Sequence, residues 1–459
     1  MRPGSFFLCL PTMIGATIGV CSGLPAAGVA APCTYFVAAT GSDGNDGTSI
    51  ATPFATLEKA QSIMRRGSAG VVCLRAGTYH RPASLVITAA DNGETWQYYP
   101  SDGANSAVLD GGNSVDLFSI NGASNVTIDG LKMQHVFDSA VSSGGALSNN
   151  LTIENCDIGF NQHTSLAGGF NPMIGLGNVT NAHVLNNYVH DTASQGVALY
   201  AYAAGDTIDG AVVSGNVVVR AVQRMDDGGA IYINMRNTNV NGGHVTISNN
   251  YVKNYGAAGI SSVRGIYLDD DSSNVTVIGN VIGPPDPGTT GPYLEAVVFN
   301  GGSGNRVTGN IIDLGNGKVA VNSIGPDGGG GTISYGGPTS PNSISGNIII
   351  ANYSGVPSIH SWDVNGHVYD QGPTITSKWL TISGNLYHNY GGGAKDSAGN
   401  RISDANPIFA DPRISGSAYT IESGSPVFGS AMNFKPIVGG WGPSRFVIPP
   451  DDAALSNAR

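Results

Sequence analysis

HVTISNN at residues 244–250 and NVTVIGN at residues 274–280 are two copies of one pattern, a short β-branched run closed by Asn-Asn or Gly-Asn. Further copies close at Gly130, Asn155, Asn187, Asn216, Asn310, Asn347 and Asn385, so that neighbouring copies stand 25 to 38 residues apart. Such a period marks a stacked architecture, because one short apolar strand cannot bury its face alone. Coils stacked about 4.8 Å apart give each strand a neighbour and all of them one core. Asn at the corner tolerates left-handed backbone angles and can hydrogen-bond along the stack, while Gly fits the tight bend. The corner residues therefore read as structural. The expected fold is all-β: a right-handed, single-stranded parallel β-helix. Leucine-rich repeats are excluded by the missing Leu spacing, and propeller blades of about 40 residues with four strands each fit less well.

Composition agrees. Of 459 residues, 67 are Gly and only 12% are charged, which disfavours long surface helices, while Val, Ile and Leu recur too regularly for disorder. Residues 1–31 read as a signal peptide. Arg2 precedes an apolar run from Phe6 to Val20, and small residues around Ala30 and Ala31 suit cleavage, so the expected destination is extracellular or periplasmic. Pro11 and Gly15 interrupt that run, which argues against a membrane anchor. Cleavage would leave Cys33, Cys73 and Cys156. An oxidising compartment permits a Cys33–Cys73 bridge with Cys156 as a buried thiol; three unpaired thiols fit as well. The net charge of −11, without a Lys/Arg cluster, makes nucleic acid an unsuitable partner. The expected state is a monomer with no membrane partner.

Residues 35–79, YFVAATGSDGNDGTSIATPFATLEKAQSIM…GVVCLRAGTY, resemble the opening segment of pectate-lyase-like β-helix proteins. There a first strand, a Gly/Asp loop and an amphipathic helix cap one end. Leu57, Ala60, Ile63 and Met64 would form the helix's apolar face, with Gly67 as its stop. ANPIFADP…YTIESGSPV, residues 405–427, resembles the closing segment of the same superfamily. The resemblance implies a cap region over 32–80, the β-helix over 81–430 and a tail over 431–459. It speaks to fold more than reaction, since lyases, hydrolases, epimerases and adhesins share this architecture.

From the Asn corners a second strand can be aligned: Gly196–Tyr200, Ala230–Asn234, Gly265–Asp269 and Ala296–Asn300. Alternation along a strand points Val197, Ile231, Ile266 and Val297 inward, with Leu199, Ile233, Leu268 and Phe299. It leaves an outward aromatic column through Tyr232 and Tyr267 and a polar column of Tyr200, Asn234, Asp269 and Asn300. Tyrosine rings beside amides and a carboxylate suit a polysaccharide or oligosaccharide; an ordinary solvated strand face is the bland alternative.

Carboxylates gather about this face: Asp226 and Asp227 on one coil, Asp269, Asp270 and Asp271 on the next, Glu295 after that. Glycoside hydrolysis uses two carboxyls, one as acid and one as nucleophile or base. Tight turns are the structural alternative for both Asp clusters. MDDGGAIYI and RGIYLDDDSSNVTVIGNVI resemble the acidic motifs of β-helix glycoside hydrolases. That resemblance implies catalysis by Asp227 with Asp269 or Asp270, keeps Asp226 and Glu295 in reserve, and turns His190-Asp191 toward the same cleft one coil earlier. The Asn-Thr-Asp and Arg-Ile-Lys motifs of polygalacturonases are missing, so that activity is not implied. Hydrolysis, which requires no cofactor, is the leading reading. A lyase is the second, with Ca2+ held by the Asp cluster and Arg264 or Lys253 near the base position. A non-catalytic glycan-binding scaffold is the third. No histidine spacing marks a metal site.

Overall fold

The computed structural model describes residues 31–161, 170–236, 243–291, 293–315, 319–324, 340–350, 359–362, 380–388 and 404–428, with scattered positions to 443. The expected signal peptide, through residue 30, and the end of the expected tail, beyond 443, lie outside the described residues. Among the described residues, three parallel sheets of 13, 12 and 10 strands run along the stack. One coil shows the plan: Val245–Ser248 belongs to the first sheet, Tyr251–Lys253 to the second and Ser262–Asp269 to the third. The strand aligned from the sequence is thus the third of its coil, and a very short strand intervenes. Its inward residues Val197, Ile231, Ile266 and Val297 lie fully buried in one core with Val213, Ile247 and Val277 of the first sheet.

The corner between first and second sheets holds two residue columns. Gly130, Asn155, Asn186, Gly215, Asn249 and Gly279 all have φ between 51° and 71°. Gly is needed where the neighbour crowds it: a Cβ on Gly215 would fall 2.2 Å from Asn186 Oδ1. The following residue is a fully buried Asn at 187, 216, 250, 280, 310, 347 and 385. Each donates Nδ2 to the Oδ1 of the next, as from Asn187 to Asn216 at 3.0 Å and from Asn250 to Asn280 at 3.0 Å. The same Oδ1 also accepts the preceding Asn's backbone N–H, at 2.9 Å for Asn187 and Asn216. The ladder begins where Asn187 Oδ1 accepts Cys156 N–H and ends where Asn385 donates to the Asp404 carboxylate at 2.7 Å. Gly130 and Asn155 therefore align with Asn186, one position ahead of the ladder, which Leu131 and Cys156 occupy in the first coils.

Near the N-terminus, Cys33 and Cys73 are disulfide-bonded and Cys156 is a buried free thiol. The helix spans Leu57–Met64; Thr56 caps it by accepting Lys59 N–H, and Leu57, Ala60 and Met64 are buried in the main core. Toward the C-terminus, the outer face of the second sheet is itself apolar. Val219, Tyr251, Val281, Ile311 and Ile348 are covered by residues that include Val427, Phe434 and Trp441. Strands covered on both faces read as uninterrupted apolar runs, as Val217–Val219 and Ile348–Ile350 do.

Asn250→Ala should lower unfolding free energy by about 3 kcal/mol, since it strands the Asn216 N–H donors in the interior. Urea denaturation measures it, and a loss below about 0.5 kcal/mol would mean that the ladder contributes nothing specific.

Candidate functional site

On the third sheet, Ala198, Tyr232, Tyr267 and Val298 occupy one outward column, and Tyr200, Asn234 and Asp269 the next, which runs on to Asn300. A third column holds Gly229, Arg264 and Glu295. Gly229 leaves room for its neighbour, because a Cβ there would lie 2.7 Å from that of Tyr267.

The side chains of these columns join into one network. Asp269 accepts the Tyr232 phenol at 2.6 Å, Asn300 Nδ2 at 2.6 Å and the Asp270 backbone N–H at 2.9 Å. Asn234 bridges outward, donating to Tyr232 Oη at 2.9 Å and to Asp270 Oδ2 at 3.0 Å. Arg236 Nε stands 3.5 Å from the same Asp270 oxygen. On the other side of the tyrosines, Arg264 pairs with Glu295 at 2.9 Å and with Asp227, and its guanidinium lies 4.5 Å over the Tyr267 ring.

Electrostatics separates the carboxyls. Burial, then the neighbouring Asp269 charge, pushes the Asp270 carboxyl above its usual range. Asp227, with 67% of its side chain exposed, stands against the buried Arg264 guanidinium. Burial alone would ease proton loss from Arg264, but the charges of Glu295 and Asp227 outweigh it and hold the proton more firmly. Desolvation, reinforced by the Asp269 charge, raises both Tyr232 and Tyr267, so their phenols stay neutral donors. Asp227 and Asp270 both sit at positive φ, 65° and 37°, conformations that L residues adopt at a cost and that concentrate at functional sites.

Four expectations change. The tyrosines offer no open stacking face: Tyr232 and Tyr267 are 6% and 3% exposed, meet edge to face at 5.4 Å, and are covered by Phe170 and Arg264. Only their hydroxyl ends serve the network. Tyr200 keeps its register position beside Asn234, yet its phenol turns back to donate to Ser143 O at 3.0 Å. His190 belongs to the second sheet, since the turn over 191–196 separates it from the third. There it is buried between Asp157 at 2.9 Å and Asp191 at 2.7 Å, and Arg220 braces Asp191 at 2.8 Å. Asp226 is a turn residue, accepting Ser261 and Ser262 backbone N–H groups at 2.7 and 2.9 Å.

Two network members went unread. Arg236 and Tyr202 stand two residues beyond Asn234 and Tyr200, so alternation carried past the strand ends would have found them. Tyr202 stacks on Tyr200 at 4.9 Å and hydrogen-bonds Tyr232. The oxygens of Asp269 and Asp270 face N–H and O–H donors, which suits them poorly to calcium. Among the described residues no group of three or more His, Cys, Asp or Glu is placed to hold a metal ion.

No protein-family model and no curated protein matches the chain. Solved structures do. A PL6-family polysaccharide lyase from Pseudopedobacter saltans aligns with a TM-score of 0.50 at 13% identity, over 84% of this chain and 98% of its own. An alginate lyase bound to G6 aligns at 0.48 and 13%, over 86% and 95%. A glycoside hydrolase follows at 0.43 and 10%, over 82% and 96%. The fold is a parallel β-helix. At these identities the likeness extends to fold and no further.

The His190 cluster sets a pH dependence of stability. Burial alone would lower the imidazole, but Asp157 and Asp191 outweigh it and raise its pKa above 6.5. Its stabilisation is therefore complete below pH 6.5 and lost as pH rises through the higher folded value. Asp191, at about 2 against an ordinary 3.8, acts in the opposite sense: its share is lost as pH falls from 3.8 toward 2. Urea titrations should show greatest stability between those limits and an alkaline decline that His190→Gln removes. An identical decline in the variant would clear His190 of that role.

Proposed function

We propose that this chain is a secreted glycoside hydrolase acting on a polysaccharide or oligosaccharide at the outward face of the third sheet. The observation that carries the reading is the contrast between two carboxyls of one network. Asp270, sheltered and beside a second negative charge, is held toward its protonated form and serves as general acid. Asp227, exposed and paired with Arg264, serves as base or nucleophile. Asp269 is a positioning residue: Tyr232 and Asn300 fix it, and its charge sets the proton affinity of Asp270. Glu295 and Arg264 hold Asp227 from below. The Cys33–Cys73 bridge agrees with an oxidising compartment and so with export. The helix at Leu57–Met64 caps the end of the stack, and the protein works as a monomer without a cofactor.

β-Elimination finds less support. It needs a base for the sugar's C5 proton, and Arg264 holds its own proton too firmly between two carboxylates.

Asp270→Asn and Asp227→Asn should each lower turnover on pectic, xylan, fucan or alginate oligosaccharides by about 10²–10⁴-fold with the melting temperature little changed. Products should be saturated reducing sugars; unsaturated products absorbing in the near ultraviolet would reject hydrolysis. Because Asp270 must carry a proton to act, activity should fall as pH rises through its elevated pKa. Asp269→Asn removes the adjacent charge and should move that alkaline limb to lower pH. A limb that stays in place would separate Asp270 from the acid step.

A further inference from the structure

We infer that the chain carries a second saccharide-binding site, on the second sheet, beneath the C-terminal segment. After Asp404 the chain returns over this sheet's outer face and forms a short antiparallel hairpin, Ile414–Ser415 against Thr420–Ile421. Between hairpin and sheet lies a cavity of about 350 Å3, within the range of small-ligand sites, about 300–1,000 Å3. Its floor is one register column. Lys253, Gly283, Asp313, Ile350 and His388 follow one another on successive coils. Gly283 is where the Lys253 stem crosses: a Cβ there would meet Lys253 Cγ at 2.9 Å.

The roof is tied down around the space without closing it. Tyr419, at a left-handed φ of 51°, donates its phenol to Asp313 Oδ2 at 2.6 Å, and Tyr251 donates to Ser417 O at 3.1 Å. His388 Nε2 and Asp411 Oδ1 stand 3.9 Å apart across the lining, outside hydrogen-bond distance.

The lining chemistry selects the ligand class. Lys253, His388, Asp313 and Asp411 all line the space, so it offers both donors and acceptors with no net positive charge for an anion. Ile350, Pro412 and Ile414 supply an apolar wall. Polar groups beside an apolar surface match the hydroxyl rim and C–H face of a neutral sugar unit. A uronate or sulfated sugar would meet two carboxylates. The inference rests on the glycan reading above, but it uses a different sheet and none of the network residues.

The test uses the full chain carrying Asp270→Asn, titrated calorimetrically with xylohexaose, cellohexaose and mannohexaose, and with trigalacturonate as the anionic control. At least one neutral hexaose should occupy a site that His388→Ala weakens about tenfold, or about 1.4 kcal/mol, and that Ser417→Trp, filling the mouth, abolishes. Tyr419→Phe, which frees the roof from Asp313, serves if circular dichroism shows either variant misfolded. With Asp270 intact, these variants should keep turnover of a short soluble substrate within about twofold. Failure of every neutral hexaose to bind, tighter binding of trigalacturonate at this site, or affinity unchanged in the variants would each overturn the inference. Normal turnover in Asp227→Asn and Asp270→Asn would instead defeat the hydrolase reading and leave this site standing.

Discussion

A buried side-chain amide has four hydrogen-bonding demands and no water to meet them. In this fold the column from Asn187 to Asn385 meets them only if each coil sits squarely on the one before. A coil slipped by one residue would leave an amide orphaned in the core, at a cost of about 1–3 kcal/mol per group. The far corners carry less of that penalty, since loop length varies between coils, although buried Asn305 and Asn342 repeat the device where the third sheet leads back to the first. Register is thus enforced mainly at one corner and followed by the other two sheets. The outward columns of the third sheet, with their tyrosines and carboxylates, line up because the asparagines do.

This division explains which features are legible in the sequence. The Asn and Gly corners carry a local chemical requirement, so their spacing announced the architecture and allowed Tyr232, Tyr267, Asn234 and Asp269 to be aligned correctly across coils. Arg264 and Glu295 were also named, although their pairing depends on a strand contact between residues 31 apart. The short second-sheet strands escaped notice. Tyr188–His190 is three residues long and buried throughout, too short for any alternation to reveal it. The placement of His190 rested on a resemblance in motif alone, and a motif does not say to which sheet a three-residue strand belongs. Burial of the tyrosines was illegible for another reason: Phe170 reaches Tyr232 from a separate part of the chain, and no local pattern encodes that.

The tyrosine pair is better understood as insulation than as a platform. Packed edge to face under Phe170 and Arg264, the rings keep water from the floor of the network and present neutral phenols to Asp269. A low-dielectric floor strengthens every charge interaction above it. It is the reason that burial and the Asp269 charge together hold the Asp270 carboxyl above its usual range. Arg264 does similar duty on the opposite side by bridging Glu295 and Asp227 with one charge.

The asparagine column also has a direction. Every side-chain amide gives one N–H to the coil before it, at a backbone carbonyl, and the other to the coil after it, while its own Oδ1 faces the N-terminal side; the amide-to-amide bonds therefore all run one way, and each polarises the next. The positive end of this array points at Asp404, whose carboxylate accepts from Asn385 Nδ2, Asn385 N and Gly384 N. A full negative charge closes the array where its potential is most positive, much as an acidic residue closes a helix N-terminus. A carboxylate also has nothing to donate onward. The stack therefore ends in a sign as well as a shape, and the asparagine pattern stops there because its chemistry has been terminated.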